Sequence, residues 1–400
     1  MTSTDHEFRP TGAPERIDML DAIRGFALFG ILLMNLEAFT GPYLQAMSGV
    51  DPALSGADWL ADAFVYVFVQ GKFWTLFSLL FGVGFALMQD GAQRARADFS
   101  LIYSRRLMAL AVFGLAHALL LWEGDILFTY ALAGAVLLWR VRAGTVPRLW
   151  RIVAVYAAPL LLIALLGLLE AGPAEPQALA DAIAREAEIQ GAGSYAEISA
   201  WRLEKFAQGL GGLVVLLPMA VAMFALGVRL HRSGFTRPPE RSVRADALRA
   251  LALFAAGLAL TLAGVAVSPD VDPLRIDVRS AAVGILNLLG APLMCLGYFF
   301  ALRWLWGQAG GRRWLARFAP AGRMALSNYL GQSLLCTLLF YGYGAGLFGQ
   351  LPRAWQIPFA VAVFGAQLAF SRWWLARFGM GPMEHLWRRL TYGARLKFVS

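Results

Sequence analysis

The stretch Arg105–Tyr130, RRLMALAVFGLAHALLLWEGDILFTY, decides how this chain folds. It opens on two arginines, runs apolar, turns at Glu123-Gly124-Asp125 and runs apolar again. That is the pattern of a membrane helix, a sharp acidic turn and the start of a returning helix. A single histidine, His117, interrupts the first apolar run. It stands about 7.5 Å below Trp122 along a helix, and Asp125 falls where the chain re-enters the membrane. An ionisable group at that depth is costly and marks a path or a site. The plainer reading is a hydrogen bond that glues two helices together.

Outward from this stretch the same grammar repeats. Hydrophobic residues make up 58% of the 400 and charged residues 15%, too apolar for a soluble protein of this size. Apolar runs of about 20 residues recur, each long enough to cross ~30 Å of hydrocarbon. The expected fold is therefore an all-α polytopic membrane protein of about ten transmembrane helices. They fall at 22–40, 60–88, 107–122, 126–140, 150–169, 209–229, 249–268, 281–303, 323–347 and 355–374. The second run carries Gln70-Gly71-Lys72 midway, so its first half is expected to lie along the interface. Arginines crowd alternate loops, including Arg94–Arg106, Arg140–Arg151 and the tail. The positive-inside rule then places both termini in the cytoplasm; the excess of Arg over Lys points to a GC-rich bacterial genome, and the inner (cytoplasmic) membrane is the expected location. The +9 net charge follows this topology and gives no reason to invoke nucleic acid; membrane lipids are the expected surroundings. Cys295 and Cys336 both fall in apolar runs, so no disulfide framework is implied.

Three regions emerge. Residues 1–169 form an N-terminal membrane half, 170–208 an extracytoplasmic loop of polar helices, and 209–400 a C-terminal membrane half with a basic cytoplasmic tail. The loop helices are read either as a lid over the membrane site or as a shield for it.

The first run begins Leu20-Asp21-Ala22-Ile23-Arg24-Gly25. Asp21 and Arg24 are three apart and can pair on one helix face. Asn35 follows eleven residues after Arg24, which returns it to nearly the same face about 16 Å away, near the other membrane surface. Arg24 reads either as a snorkelling interfacial arginine or as one aimed at an anionic group. In the C-terminal half, Ser327, Asn328, Gln332 and Ser333 lie in one span, as interhelical hydrogen-bond partners or ligand contacts. The 381–393 segment starts a cytoplasmic helix that sets Trp387 and Leu390 at the membrane surface.

These segments resemble the YeiB-like family, whose C-terminal part is called domain of unknown function 418. The resemblance runs through LDAIRG, GKFWTLFSLLFGVGFAL (71–87), RRLMALAVFGLAHALLLWEGDILFTYALAG (105–134), GRMALSNYLGQSLLCTLLFYGYGAGLFG (322–349) and GPMEHLWRRLTYG (381–393). The opening is also similar to that of the acyltransferase-3 and heparan-α-glucosaminide N-acetyltransferase-like families. Both are thought to use cytoplasmic acyl-CoA to acylate sugars across the membrane. In acyltransferase-3 the arginine is followed after ten residues by a catalytic histidine. Here that position holds Asn35, and the following loop, 41–58, contains no histidine.

The resemblance thus implies an acyl-CoA-dependent acyltransferase with acyl-CoA as donor and a glycan or other hydroxyl or amine as acceptor. His117 is expected to supply the base, Asp125 to orient it, and Asn35 to hold the acyl carbonyl or the acceptor. Arg24 with Arg105 or Arg106 is expected to hold the CoA phosphates. No HxxxH or CxxC spacing completes a metal site around His117. A transporter of a small anionic or zwitterionic solute would use the same polar cavity, and is the competing reading.

Overall fold

The computed structural model describes residues 18–141, 145–169, 176–239 and 244–393. Among them every regular element is a helix. An isolated antiparallel bridge, Gly49 to Asp270, is their single extended pairing.

Helix α1 (Asp18–Thr40) runs the depth of the molecule and is wrapped on nearly all sides. A short turn, α2 (Tyr43–Met47), leads to α3 (Gly56–Phe64), which continues as one π-helical turn over Val65–Val69. The helix then breaks at Gln70 and Gly71, with Gly71 at φ 76°, a conformation only glycine adopts without strain. Helix α4 (Lys72–Arg94) restarts there. The sequence places a lysine mid-span, and the break explains how it is tolerated. Lys72 is fully buried and donates to the carbonyl of Tyr66 and the Oδ1 of Asn287, both at 2.9 Å.

Next come α5 (Phe99–Leu120), α6 (Leu127–Arg140) and α7 (Leu149–Leu168). Helix α8 (Pro176–Ala192) lies outside the long apolar helices, and α9 (Tyr195–Arg232) follows it. A Ser194–Glu197 capping box starts α9, which then runs 38 residues without interruption. The polar stretch 195–208 and the apolar run 209–229 are therefore one rod. Helices α10 (Arg244–Val267) and α11 (Val278–Trp306) form a tightly packed antiparallel pair. Short α12 (Ala309–Leu315), a 3₁₀ turn and α13 (Ala319–Arg323) lead into α14 (Ala325–Phe340). Helices α15 (Arg353–Phe378) and α16 (Pro382–Tyr392) close the chain.

Among the described residues eight helical segments are long and apolar enough to cross a membrane: α1, the α3–α4 unit, α5, α7, α9, α10, α11 and α15. Their outer faces carry bare apolar side chains, such as Leu161 (71% exposed) and Leu251 (67%), the surface lipid requires. This is a multi-pass membrane protein. Two expected spans come out shorter. Residues 126–140 give only the 14 residues of α6, and 323–347 give the 16 residues of α14 followed by turns. At 1.5 Å per residue these are roughly 21 and 24 Å long.

One end of the bundle collects the start of α1, the start of α5, α13 and α16. Gly25 of α1 and Gly322 of α13 cross so closely that a Cβ on Gly25 would strike the carbonyl of Phe318. We call this the terminal end. The other, the loop end, collects α2, α8 and the 121–126 turn. There Arg353 bridges Glu37 of α1 and Asp62 of α3.

Candidate functional site

Helix α5 ends at the loop end because the chain folds back on itself. The amides of Leu121 and Trp122 both donate to the carbonyl of His117, at 2.9 and 2.8 Å. The reversal carries Asp125 back over the histidine. His117 Nδ1 lies 2.9 Å from Asp125 Oδ1, and the other carboxylate oxygen accepts the amide of Phe128, in the first turn of α6, at 2.7 Å. Gly114, one turn below His117, makes this approach possible: a Cβ there would overlap the Phe128 amide and stand 2.9 Å from Asp125 Oδ2.

The other ring nitrogen is also engaged. His117 Nε2 is 2.8 Å from the Oγ of Ser333 on α14. A carboxylate can only accept, so Asp125 fixes the proton of a neutral imidazole on Nδ1, and Nε2 then accepts from the serine hydroxyl. The result is a Ser333–His117–Asp125 relay drawn from three chain segments, with His117 and Ser333 each 1% exposed. Tyr329, one turn before Ser333, sets its ring 5.0 Å from the imidazole. Its hydroxyl is buried and donates to no acceptor, while the backbone of Ile126 faces its oxygen.

A second polar cluster roofs the relay. Arg202 of α9 is fully buried; it donates to the carbonyl of Leu120 at 3.0 Å and to the hydroxyl of Tyr343 at 2.9 Å. Its Nε faces Glu123 at 3.9 Å. Gln190 of α8 donates to the other oxygen of Glu123 at 2.6 Å. Four residues earlier on the same face, Glu186 accepts the amide of Tyr43 at 2.7 Å. Burial pushes the Glu123 carboxyl up and the Glu186 carboxyl to about 7.

The remaining expected residues separate. Asn35 is half-buried and makes no hydrogen bond among the described residues; neither is it bonded to His117. One turn further on, Phe39 packs on Trp122 with ring centroids 4.3 Å apart, so this part of α1 does meet the 121–126 turn. At the terminal end Arg24 pairs with Asp21 at 2.8 Å, as the three-residue spacing suggested. Arg106 stacks on the indole of Trp387 at 3.5 Å, and that indole donates to the Arg106 carbonyl at 2.9 Å. Arg105 points outward and is exposed. Helix α16 is locked on through Glu384, which accepts the amides of Leu326 and Ser327 at 2.7 and 3.0 Å and so caps α14. No three His, Cys, Asp or Glu side chains among the described residues converge as a metal site.

Ser333 and Arg202 are the partners sequence reasoning did not attach to the site. Ser333 is 216 residues from His117, and no spacing rule links them. Arg202 carried one available signal: an arginine inside the polar loop flanked by Trp201 and Leu203, which reads as a half-apolar face.

Fold and site together define a multi-pass helical membrane protein with a buried serine–histidine–carboxylate relay beneath a polar roof. Comparison with known proteins places it further. The chain is 34% identical to "Uncharacterized protein YxaH" of Bacillus subtilis (strain 168), over 96% of both chains. It is 33% identical to "Uncharacterized protein YeiB" of Escherichia coli (strain K12), over 96% of this chain and 99% of that one. A 39.9 kDa protein of Bacillus acidopullulyticus is 28% identical over 98% of each. Residues 230–394 match the model described as "Protein of unknown function (DUF418)". The chain belongs to the YeiB-like DUF418 family.

Proposed function

We propose that this protein is an acyltransferase of the bacterial inner membrane. It takes the acyl group of cytoplasmic acyl-CoA and delivers it to a hydroxyl or amine acceptor that is extracytoplasmic or lipid-linked. The observation that carries the reading is the relay: an imidazole held by a buried carboxylate at one nitrogen and by a hydroxyl at the other. Such a group takes a proton from an attacking hydroxyl and returns it to a leaving group. Asn35, half-buried and unbonded, is the side chain available to an acyl carbonyl or acceptor. Arg24 and Arg106, two cations at the terminal end, suit the phosphates of CoA. In this reading the terminal end is cytoplasmic, α6 and α14 complete ten crossings, and α8 with the start of α9 covers the acceptor side.

One observation favours solute transport instead. The α3–α4 unit is broken at Gln70–Gly71 beside a fully buried lysine, and interrupted helices are where transporters build their sites. CoA release decides between the two. Purified protein given acetyl-CoA or palmitoyl-CoA and a membrane extract as acceptor source should release CoA, and His117→Gln should release it about 10²–10⁴-fold more slowly. Equal release by His117→Gln would end the catalytic reading. Solute uptake with no consumption of acyl-CoA would establish the transporter.

A further inference from the structure

We propose that Ser333 is a covalent acyl carrier, so that the transfer runs in two steps through an acyl-serine. This rests on the acyl-transfer reading above and names the nucleophile it leaves open.

Both nitrogens of His117 are occupied. Nδ1 is committed to Asp125, and the hydroxyl within reach of Nε2 is that of Ser333, at 2.8 Å. An acceptor hydroxyl could reach the base only by displacing Ser333. The serine is also not held by the bond a helical serine ordinarily makes. Its oxygen lies 3.4 Å from the carbonyl of Tyr329 four residues back, a poor contact beside the 2.8 Å one to the imidazole. The buried Tyr329 hydroxyl, which donates to no acceptor and stands one turn away on the same helix, is the donor available to a developing oxyanion.

In the first step Ser333 Oγ attacks the thioester carbonyl carbon as His117 Nε2 takes the hydroxyl proton. The Oγ–C bond forms, the C–S bond breaks, and CoA departs as the thiol with the proton from Nε2. In the second step the acceptor hydroxyl or amine attacks the ester carbonyl and gives its proton to Nε2. The C–Oγ bond breaks, and the proton returns to Oγ. Nothing is oxidised or reduced.

Position gives the serine its purpose. Ser333 is the ninth residue of the sixteen in α14, roughly 12 Å along that helix and about midway in its length. An acyl group parked there is reached by the donor from one face and by the acceptor from the other. The acyl group crosses, and the charged CoA does not.

The test uses full-length protein in lipid nanodiscs with acyl-labelled acetyl-CoA or palmitoyl-CoA and no added acceptor, acid-quenched and mapped by peptide mass spectrometry. One acyl group on Ser333 is expected, formed with the first equivalent of released CoA. It should be absent from Ser333→Ala, retained as a hydroxylamine-labile thioester in Ser333→Cys, and formed about 10²–10⁴-fold more slowly in His117→Gln. Thermal melts of each variant check that it is folded. A folded Ser333→Ala that still passes acyl groups to membrane extract at the parent's rate would overturn the carrier while leaving the acyltransferase standing. A label mapping to another residue would do the same. Failure of the parent to release CoA from either donor would overturn both.

Discussion

Asp125→Asn is the substitution that separates a working relay from a mere strut. Asp125 has two duties at its two oxygens: it accepts from His117 Nδ1 at 2.9 Å and from the Phe128 amide at 2.7 Å. An asparagine has one acceptor and one donor end, so it can serve one of them. If the oxygen stays on Phe128, the amide donates to Nδ1 and the ring proton moves to Nε2. Ser333 must then accept where it used to donate, and the base has no lone pair for it. A reversed tautomer of this kind costs about 10⁴ in turnover where it has been measured in serine hydrolases, which is about 5 kcal/mol. If the oxygen turns to Nδ1 instead, two donors meet at Phe128 and the first turn of α6 loses its cap, roughly 1 kcal/mol. Either way the structural cost is small: one charge-assisted bond replaced by a neutral one, about 1–2 kcal/mol. The expectation is therefore a folded protein, melting a few degrees lower, whose CoA release falls by about 10³–10⁴-fold. The assay is CoA release in detergent beside a thermal melt of the same sample. Turnover within tenfold of the parent in folded Asp125→Asn would show that His117 is held for packing and refute the relay.

Three further outcomes follow from the geometry. Gly114→Ala drives a methyl into the Phe128 amide and towards Asp125 Oδ2, so it should cost about 1–3 kcal/mol and lower turnover beyond what its melt explains; an unshifted melt would contradict the close approach. Burial holds Glu186 protonated up to about pH 7, so the folded state binds an extra proton between the ordinary carboxylate pKa and 7, and stability falls as pH rises through that window. Glu186→Gln, which still accepts from Tyr43, should remove the fall and stabilise by up to about 3 kcal/mol at pH 8 while changing little at pH 4; equal melts at pH 8 would contradict it. At the terminal end Arg24→Glu and Arg106→Gln should each weaken CoA binding at least tenfold, whereas exposed Arg105→Gln should not. Calorimetry that ranks Arg105 with the other two would remove the phosphate site from this face.

The helical bundle was legible because lipid imposes a length and a composition on every crossing. That rule marked α1, α5, α7, α9, α10, α11 and α15 to within a few residues at most ends, and even the interruption at Gln70–Lys72. It overran at 323–347, because hydropathy cannot tell a helix from the apolar turns Tyr341–Phe348, whose end residues Tyr341 and Phe348 are buried as a span's would be. It did not join the polar helix expected within 170–208 to the apolar run at 209–229; the Ser194–Glu197 capping box starts them as one unbroken α9. The His117–Asp125 pair was within reach, since one reversal joins residues eight apart. Ser333 and Arg202 were not, because their placement depends on which faces of α14 and α9 turn inward, and that is settled by packing among helices far apart in the chain.

The shortness of α6 has a consequence for the membrane itself. Fourteen residues rise roughly 21 Å against ~30 Å of hydrocarbon, a shortfall of about 9 Å. Helices that fall short normally force the surrounding bilayer to thin. Here the missing height is close to the roughly 10 Å diameter of one helix, and α8 lies over the gap, with Gln190 reaching down to Glu123. Under the proposed ten crossings the 123–125 turn is sunk below the lipid surface, and the Gln190–Glu123 bond sets α8, rather than headgroups, above it. Deleting α8 should expose a hydrophobic mismatch: the shortened protein should be most stable in short-chain bilayers, while the intact chain should be indifferent to lipid length.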